Sequence, residues 1–399
     1  MEGLTSSERA ALDRIDAAAM LRNIDRWVPV NSGTRNLPGL ETMAELLTEA
    51  FAVLPGSIQL VDPDPVEAVD TAGRLVPLEH GRHLHLSVRP DAARRVLLFG
   101  HMDTVYGADH PFQSLTPGEE GVLVGPGVTD MKGGLALLLS ALTAVEAKGG
   151  ASSIGYDVLI VADEETGSLS SASLVARLAA WKVAAFGYEP ALADGTLVGA
   201  RGGTGNFSLT VRGRSAHAGR NPEDGRNAIV AAAAMAVRLA EARAPDLAVN
   251  PARIDGGGPN NVVPDLAVLR VNFRPRSADA IAQAGALLQQ VARDVAERHD
   301  VGVEVHGGFN RPPKPIDAGA ARLQALVERA GADLGIPVMW RETGGVCDGN
   351  NVAAAGVPVI DTMGVRGGAI HSSDEYLLVD SLEERARLSA LALMRIASA

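Results

Sequence analysis

Imidazoles and carboxylates stand in this chain where hydrophobic runs stop. Val96-Leu97-Leu98-Phe99 ends in Gly100 and is followed at once by His101, Met102 and Asp103. The run from Tyr156 to Ala162 ends in Asp163-Glu164-Glu165, and the run from Lys182 to Tyr188 ends in Glu189. Asp130 sits in the turn GPGVTDMKGG, whose flanking glycines let the backbone bend close to a ligand. His371 lies in GAIHSSDEY, beyond the last such run, Val357 to Thr362. Carboxylates gathered at one place repel one another unless cations hold them. His and Asp/Glu donors without a cysteine suit zinc, cobalt or manganese. Two histidines and three carboxylates could hold a metal pair about 3.5–4 Å apart, with one carboxylate bridging. Each residue also has a purely structural reading. Asp130 could cap a helix, Glu164-Glu165 could be a solvated turn, and His101 could be a hydrogen-bonded core histidine. Their common position at strand ends favours the metal, because independent caps need not converge.

For these groups to meet, their strands must lie side by side with their carboxyl ends together, where open parallel sheets bind ligands. The periodicity predicts helices over about residues 8 to 29 and Leu40 to Phe51, then strands at His83 to Val88 and Arg94 to Gly100. A buried helix follows from Met131 to Ala147, with Asp130 near its N-cap. A strand from Tyr156 to Ala162, a helix from Leu169 to Trp181 and a strand from Lys182 to Tyr188 continue the alternation. Strand alternating with helix predicts an α/β catalytic domain, a mostly parallel sheet with flanking helices.

After residue 200 the rhythm changes. Strand Asn206 to Gly213, helix Asn227 to Ala242, two strands around the turn Gly256 to Pro264, helix Ser277 to His299 and strand VGVEVHG follow in turn. That order is βαββαβ, the ferredoxin-like motif. NRPPKPID reads as a stiff linker, after which helix Ala320 to Leu334 and strand VPVIDTMG resume the first style. The expected organisation is a catalytic domain in two parts, 1–201 and 313–399, with residues 202–312 inserted between them.

Composition narrows the classes. The net charge of −12 lacks the basic footprint of a nucleic-acid or anionic-membrane binder, so an anionic substrate would have to be caught by individual Arg or Lys residues. The N-terminal stretch has no signal-peptide core, and no later uninterrupted apolar run reaches membrane-spanning length. Cys347 is the only cysteine, which excludes an intrachain disulfide and a Cys-rich zinc site. A reducing cytoplasm is the expected location.

HMDTV, GPGVTDMKGG, ADEETGS, GYEP and GAIHSSDEYLLVDSL occur in the order seen in the dizinc aminoacylase and carboxypeptidase family, of the acetylornithine deacetylase and succinyl-diaminopimelate desuccinylase type. The chain resembles that family from about residue 90 onward, most strongly its bacterial glutamate carboxypeptidase branch, through Glu189 in YEP and the tail HSSDEYLLVDS. The resemblance implies two divalent metals, zinc first, with cobalt or manganese as substitutes. His101, Asp130 and Glu189 would hold one metal, and Asp130, Glu165 and His371 the other, with Asp130 bridging. Asp103 would orient His101. Glu164 would be the general base, activating a bridging water that attacks an amide and returning the proton to the leaving nitrogen. RGRSAHAGRNPEDGRNAI resembles the family's lid, so the inserted domain is expected to be a lid and dimerisation domain. Its His217 would reach the partner subunit's site to steady the oxyanion, which implies a homodimer.

A substrate carboxylate calls for a bidentate cation. Arg274 in VNFRP matches the family's carboxylate-binding arginine, Asn261 in PNNVVP an asparagine contacting the same region, and Arg311 in FNRPP a looser candidate. Gly344 and Gly345 in ETGGV would bring backbone N–H groups to the substrate. The chain departs from relatives at Cys347, where a small hydroxyl residue is common, and at Gly202, where a lysine is frequent. Cys347 is read as a small apolar substitute, since the metal reading needs no thiol nucleophile. The expected reaction releases a C-terminal amino acid, glutamate or aspartate first, from an N-acyl-amino acid or short peptide. An aminoacylase with another acyl group would use the same residues, whereas a non-catalytic metal-binding scaffold would have no use for Glu164. A phosphate-binding role for GPGVTDMKGG fails on its spacing and on the acid at the helix start.

Overall fold

Arg95–His101 is buried along all but its first residue and lies within a six-stranded sheet. The computed structural model describes residues 3–147 and 154–398. The strand order is Ser57–Val61, His83–Val88, Gly155–Val161, Arg95–His101, Ala184–Gly187 and Val359–Ile360. The last four run parallel, and their register sets His101 beside Val161 and Phe99 beside Gly187. Residues just past these strands therefore emerge at one edge. His83–Val88 pairs antiparallel with both its neighbours, so it alone runs against the other five strands.

Helix Gly133–Glu146 crosses this sheet almost wholly buried and packs on helices Ala17–Trp27 and Asp380–Ser398. With the turn before it, Val128–Glu146 is long and apolar enough to cross a membrane by length and composition alone, although Asp130 and Lys132 interrupt its apolar run. Most of this segment is buried inside the protein, so its hydropathy is that of a core helix.

Several boundaries differ from the periodicity. The expected helix over residues 8 to 29 is two, Ser6–Leu12 and Ala17–Trp27, because Asp16 accepts from Ala19 N at 2.9 Å and starts a second helix. The next begins early, at Leu37, capped by Asn36. Helix Ala172–Ala179 is shorter than expected, and the strand expected at Val357 to Thr362 shrinks to Val359–Ile360.

Thr204–Arg212, Ala228–Glu241, Leu247–Gly256, Leu266–Pro275, Ala278–His299 and Gly302–Arg311 form βαββαβ. Their strands are all antiparallel, in the order second, third, first, fourth, as the ferredoxin-like motif requires. The helices cover one face over a separate core that includes Leu209, Met235, Phe273 and Leu288. On the other face, Arg270 Nη2 donates to Val69 O at 3.0 Å and Arg212 Nη2 to Gly73 O at 2.8 Å, tying a hairpin of the first part to this sheet. The two crossings between the units are themselves paired. Arg201 N donates to Lys314 O at 2.9 Å, and Lys314 N to Arg201 O at 3.0 Å.

Candidate active site

The parallel register brings His101, Asp130, Glu164, Glu165, Glu189 and His371 together from positions up to 270 residues apart. Asp130 stands between two groups. Its Oδ1 lies 3.0 Å from His101 Nε2, and its Oδ2 lies 3.4 Å from His371 Nε2. Glu189 Oε1 approaches His101 at 3.8 Å, and Glu165 Oε2 approaches His371 at 3.2 Å. A tetrahedral ion with bonds near 2.0 Å needs donors about 3.3 Å apart, which these separations match. Ligand atoms of His101, Asp130 and Glu165, and separately of His101, Glu164 and Glu189, all lie within 4.8 Å of one another.

The electrostatics ask for cations. Burial and the charge of Asp130 push the Glu165 carboxyl up to about 7, and burial also raises Glu189. Burial pushes His101 down, but Asp103, Asp130 and Glu189 pull it well above the ordinary histidine range. Hydrogen bonds to Asp130 and Glu165 raise His371 to about 10. The donor set and its unbalanced negative charge fit divalent metals.

Asp130 is not a helix cap. It lies in an irregular turn, Val128–Lys132, with φ −114° and ψ 89°, and the helix begins at Gly133. Glu375 holds that turn. Its Oε1 accepts from Thr129 N and Asp130 N at 2.9 and 3.0 Å, and its Oε2 from Gly127 N at 3.1 Å and the Tyr106 hydroxyl at 2.8 Å. His371 has a φ of +64°, a left-handed conformation costing a non-glycine residue about 1–3 kcal/mol, and its ring is half-exposed.

Asp103 serves more than His101. Its Oδ1 accepts from Glu164 N and its Oδ2 from Glu165 N, each at 3.1 Å, while Thr34 donates to Oδ2 at 2.7 Å. His101 Nδ1 sits nearer the Asp103 carbonyl, at 3.0 Å, than its carboxylate, at 3.4 Å. Fully buried, Asp103 thus fixes both the imidazole and the acidic pair.

Glu164 is buried, and burial raises its carboxyl well above the usual range, with Arg311 opposing. Arg311 Nη2 comes within 2.8 Å of Glu164 Oε1 without hydrogen-bond alignment, and donates to Glu164 O at 2.8 Å and Ser168 Oγ at 2.7 Å. Arg311 was expected to meet the substrate. It is instead buried behind the base, because Glu164 and Asp348 draw its guanidinium inward.

The other expected substrate contacts separate. Arg274 and Gly344 line a cavity at the junction of the two units. The N–H of Gly345 is already donated to Thr343 Oγ1, so it is not free for a substrate. His217 and Asn261 are exposed and adjoin through Ala218 N, which donates to Asn261 O at 2.9 Å. Among the described residues, neither has a contact reaching the carboxylate cluster. Cys347 caps helix Asp348–Ala354 and is buried, and burial raises its thiol well above the ordinary range.

The sequence reading passed over Glu375, Tyr106 and Asp361. Glu375 stands inside the motif quoted for His371, and Tyr106 directly follows HMDTV. Asp361 is another carboxylate beside the end of a strand, Val359–Ile360, and takes Arg201 Nε and Nη2 at 2.9 Å each, with Lys314 Nζ at 2.8 Å.

Known proteins resemble this chain in sequence and fold. The chain is 27% identical over 399 residues to carboxypeptidase G2 of Pseudomonas sp. (strain RS-16), covering 97% of this chain and 91% of that protein. It is 28% identical over 313 residues to succinyl-diaminopimelate desuccinylase of Verminephrobacter eiseniae (strain EF01-2), covering 73% of this chain and 76% of that one. Its fold superposes on a dinuclear metal-binding peptidase of Bacillus subtilis with a TM-score of 0.65 at 16% identity, covering 98% and 99% of the two chains. The model for peptidase family M20/M25/M40 matches residues 97–395, and the chain, with metal-competent side chains gathered at the carboxyl edge of its sheet, belongs to that family of hydrolases.

Proposed function

We propose that this protein is a zinc-dependent amide hydrolase that releases a C-terminal amino acid, glutamate or aspartate first, from an N-acyl-amino acid or short peptide. The observation that carries the reading is Asp130, whose two oxygens face two separate sets of donors. His101, Asp130 and Glu189 would hold one ion, and Asp130, Glu165 and His371 the second. When bound, such ions make water acidic near neutral pH and polarise a carbonyl. Glu164, backed by Arg311, takes the proton of the attacking water and delivers it to the leaving nitrogen. Asp103 keeps His101 oriented while holding the amides of Glu164 and Glu165. Arg274 receives the α-carboxylate of the leaving amino acid. His217, with Asn261 beside it, belongs to the lid that a second copy brings over the site in a homodimer. A cytoplasmic setting accords with the single buried thiol.

The test is release of free amino acid from a panel of N-acyl-amino acids, with zinc added and then chelated. Chelator-sensitive release is expected, greatest for acidic leaving residues. Release governed by the acyl group alone would make the protein an aminoacylase. No release from any substrate, with two metals bound, would overturn the hydrolytic reading.

A further inference from the structure

The junction cavity, about 740 Å³, carries more positive charge than its neighbours balance. Four cations line it: Arg201, Arg274, Arg276 and Lys314. Arg201 and Lys314 are both matched by the buried Asp361. Among the described residues Arg274 commits only its Nε, to Asn272 Oδ1 at 2.8 Å, and its two terminal nitrogens have no partner there. The exposed Arg276 side chain has no hydrogen-bond or ion-pair partner among the described residues, although its own N–H is anchored to Asp246 O at 2.8 Å. The nearby acids do not neutralise it. Glu342 also lines the cavity without pairing with either arginine, and the Asp246 carboxylate accepts from Ser277 Oγ at 3.4 Å.

Arg274 lies near the end of strand Leu266–Pro275 and Arg276 just past it, and both line the same cavity. Ala248, opposite Arg274 in the register, is small, as are Ala244 and Pro245, and all three line the cavity beside the two arginines. Gly202 adds no side chain on the facing wall, its nearest non-neighbouring atoms lying 3.7 Å from where a Cβ would stand. Burial and the charge of Arg311 both push Arg274 below its ordinary range, as expected of a cation that awaits an anion. The cavity backs onto the metal-competent cluster through Asp361, whose carbonyl accepts from Glu189 N at 3.1 Å.

We propose that Arg276 is a specificity-determining residue that binds a second, side-chain carboxylate on the leaving amino acid, while Arg274 holds the α-carboxylate. This deepens the hydrolytic reading above and rests on it for the reaction. A neutral side chain of the same shape gives Arg276 nothing to pair with, so glutamate is separated from glutamine by charge rather than size.

The experiment compares the full-length protein with Arg276→Gln in two ways. Calorimetry reads binding of L-glutamate and of L-glutamine to each. Steady-state kinetics reads the N-acyl derivatives of both, with the acyl group identified by the panel. Wild type is expected to favour glutamate, and Arg276→Gln to lower its kcat/KM and affinity roughly 10- to 100-fold while leaving glutamine within about twofold. Arg276→Glu should disfavour glutamate further. An unchanged glutamate-to-glutamine ratio in Arg276→Gln, or equal loss for both, overturns the assignment. Arg276-dependent glutamate binding without hydrolysis of any acyl-glutamate would instead sink the reaction and leave the carboxylate site standing.

Discussion

Glu164 and Asp130 are both buried carboxylates, and what separates them is their company. Asp130 faces two imidazoles, whereas Glu164 faces a guanidinium. Glu164→Gln keeps shape and burial but removes the proton acceptor. It is expected to retain two metal equivalents by elemental analysis while turnover falls at least about 100-fold; substantial residual turnover would assign the base elsewhere. His371→Ala removes a donor from one group only, so one of two metal equivalents should be lost. Asp103→Ala should weaken metal binding about 10- to 100-fold, because it frees the imidazole and both acidic amides together; metal titration against a chelator reads this directly. The residue types were legible at this scale, since a carboxylate or imidazole ending a hydrophobic run is visible in one dimension. The direction in which Arg311 points was not, because Glu164 and Asp348 compete for it from segments far apart in the chain.

The sheet carries its own charged device. Asp157, within Gly155–Val161, is buried, and burial alone would raise its carboxyl. Hydrogen bonds and charge from His85, Lys182 and Arg95 outweigh that and hold it at about 2, against an ordinary 3.8. A carboxyl lowered in the folded state stabilises fully above its ordinary range, and that contribution is lost as pH falls from about 4 toward 2. The shift corresponds to about 2 kcal/mol. Asp157→Asn should therefore unfold at lower urea at pH 7, and the gap from wild type should narrow as the pH approaches 3. A gap independent of pH would mean that packing, not charge, makes this residue matter. Elements followed from the periodicity where a hydrophobic run had clear ends, as at Arg95–His101. They failed where charged spacing ran through a break, as between Leu12 and Ala17, because a new N-cap leaves the helical period intact.

At the scale of the molecule, His217 is exposed on the inserted unit and, among the described residues, makes no contact with the cluster of its own chain, so its expected role requires a second copy. Mixing the inactive variants Glu164→Gln and His217→Ala should then restore activity to about a quarter of wild type, since half of randomly formed dimers each contain one intact site. No recovery in mixed dimers verified by mass would place His217 outside the partner's site. The sequence by itself determined the family, the α/β body with its βαββαβ insertion, and the identity of the metal-competent side chains, because these depend on local pattern and residue chemistry. Only the tertiary structure decided that Asp130 faces two donor sets, that Glu375 rather than a helix start shapes its turn, that Arg311 backs the base, and that Arg276 stands uncompensated beside Arg274. Each of those depends on strand register and on which of several distant partners captures a group, and neither is written in any single stretch of the chain.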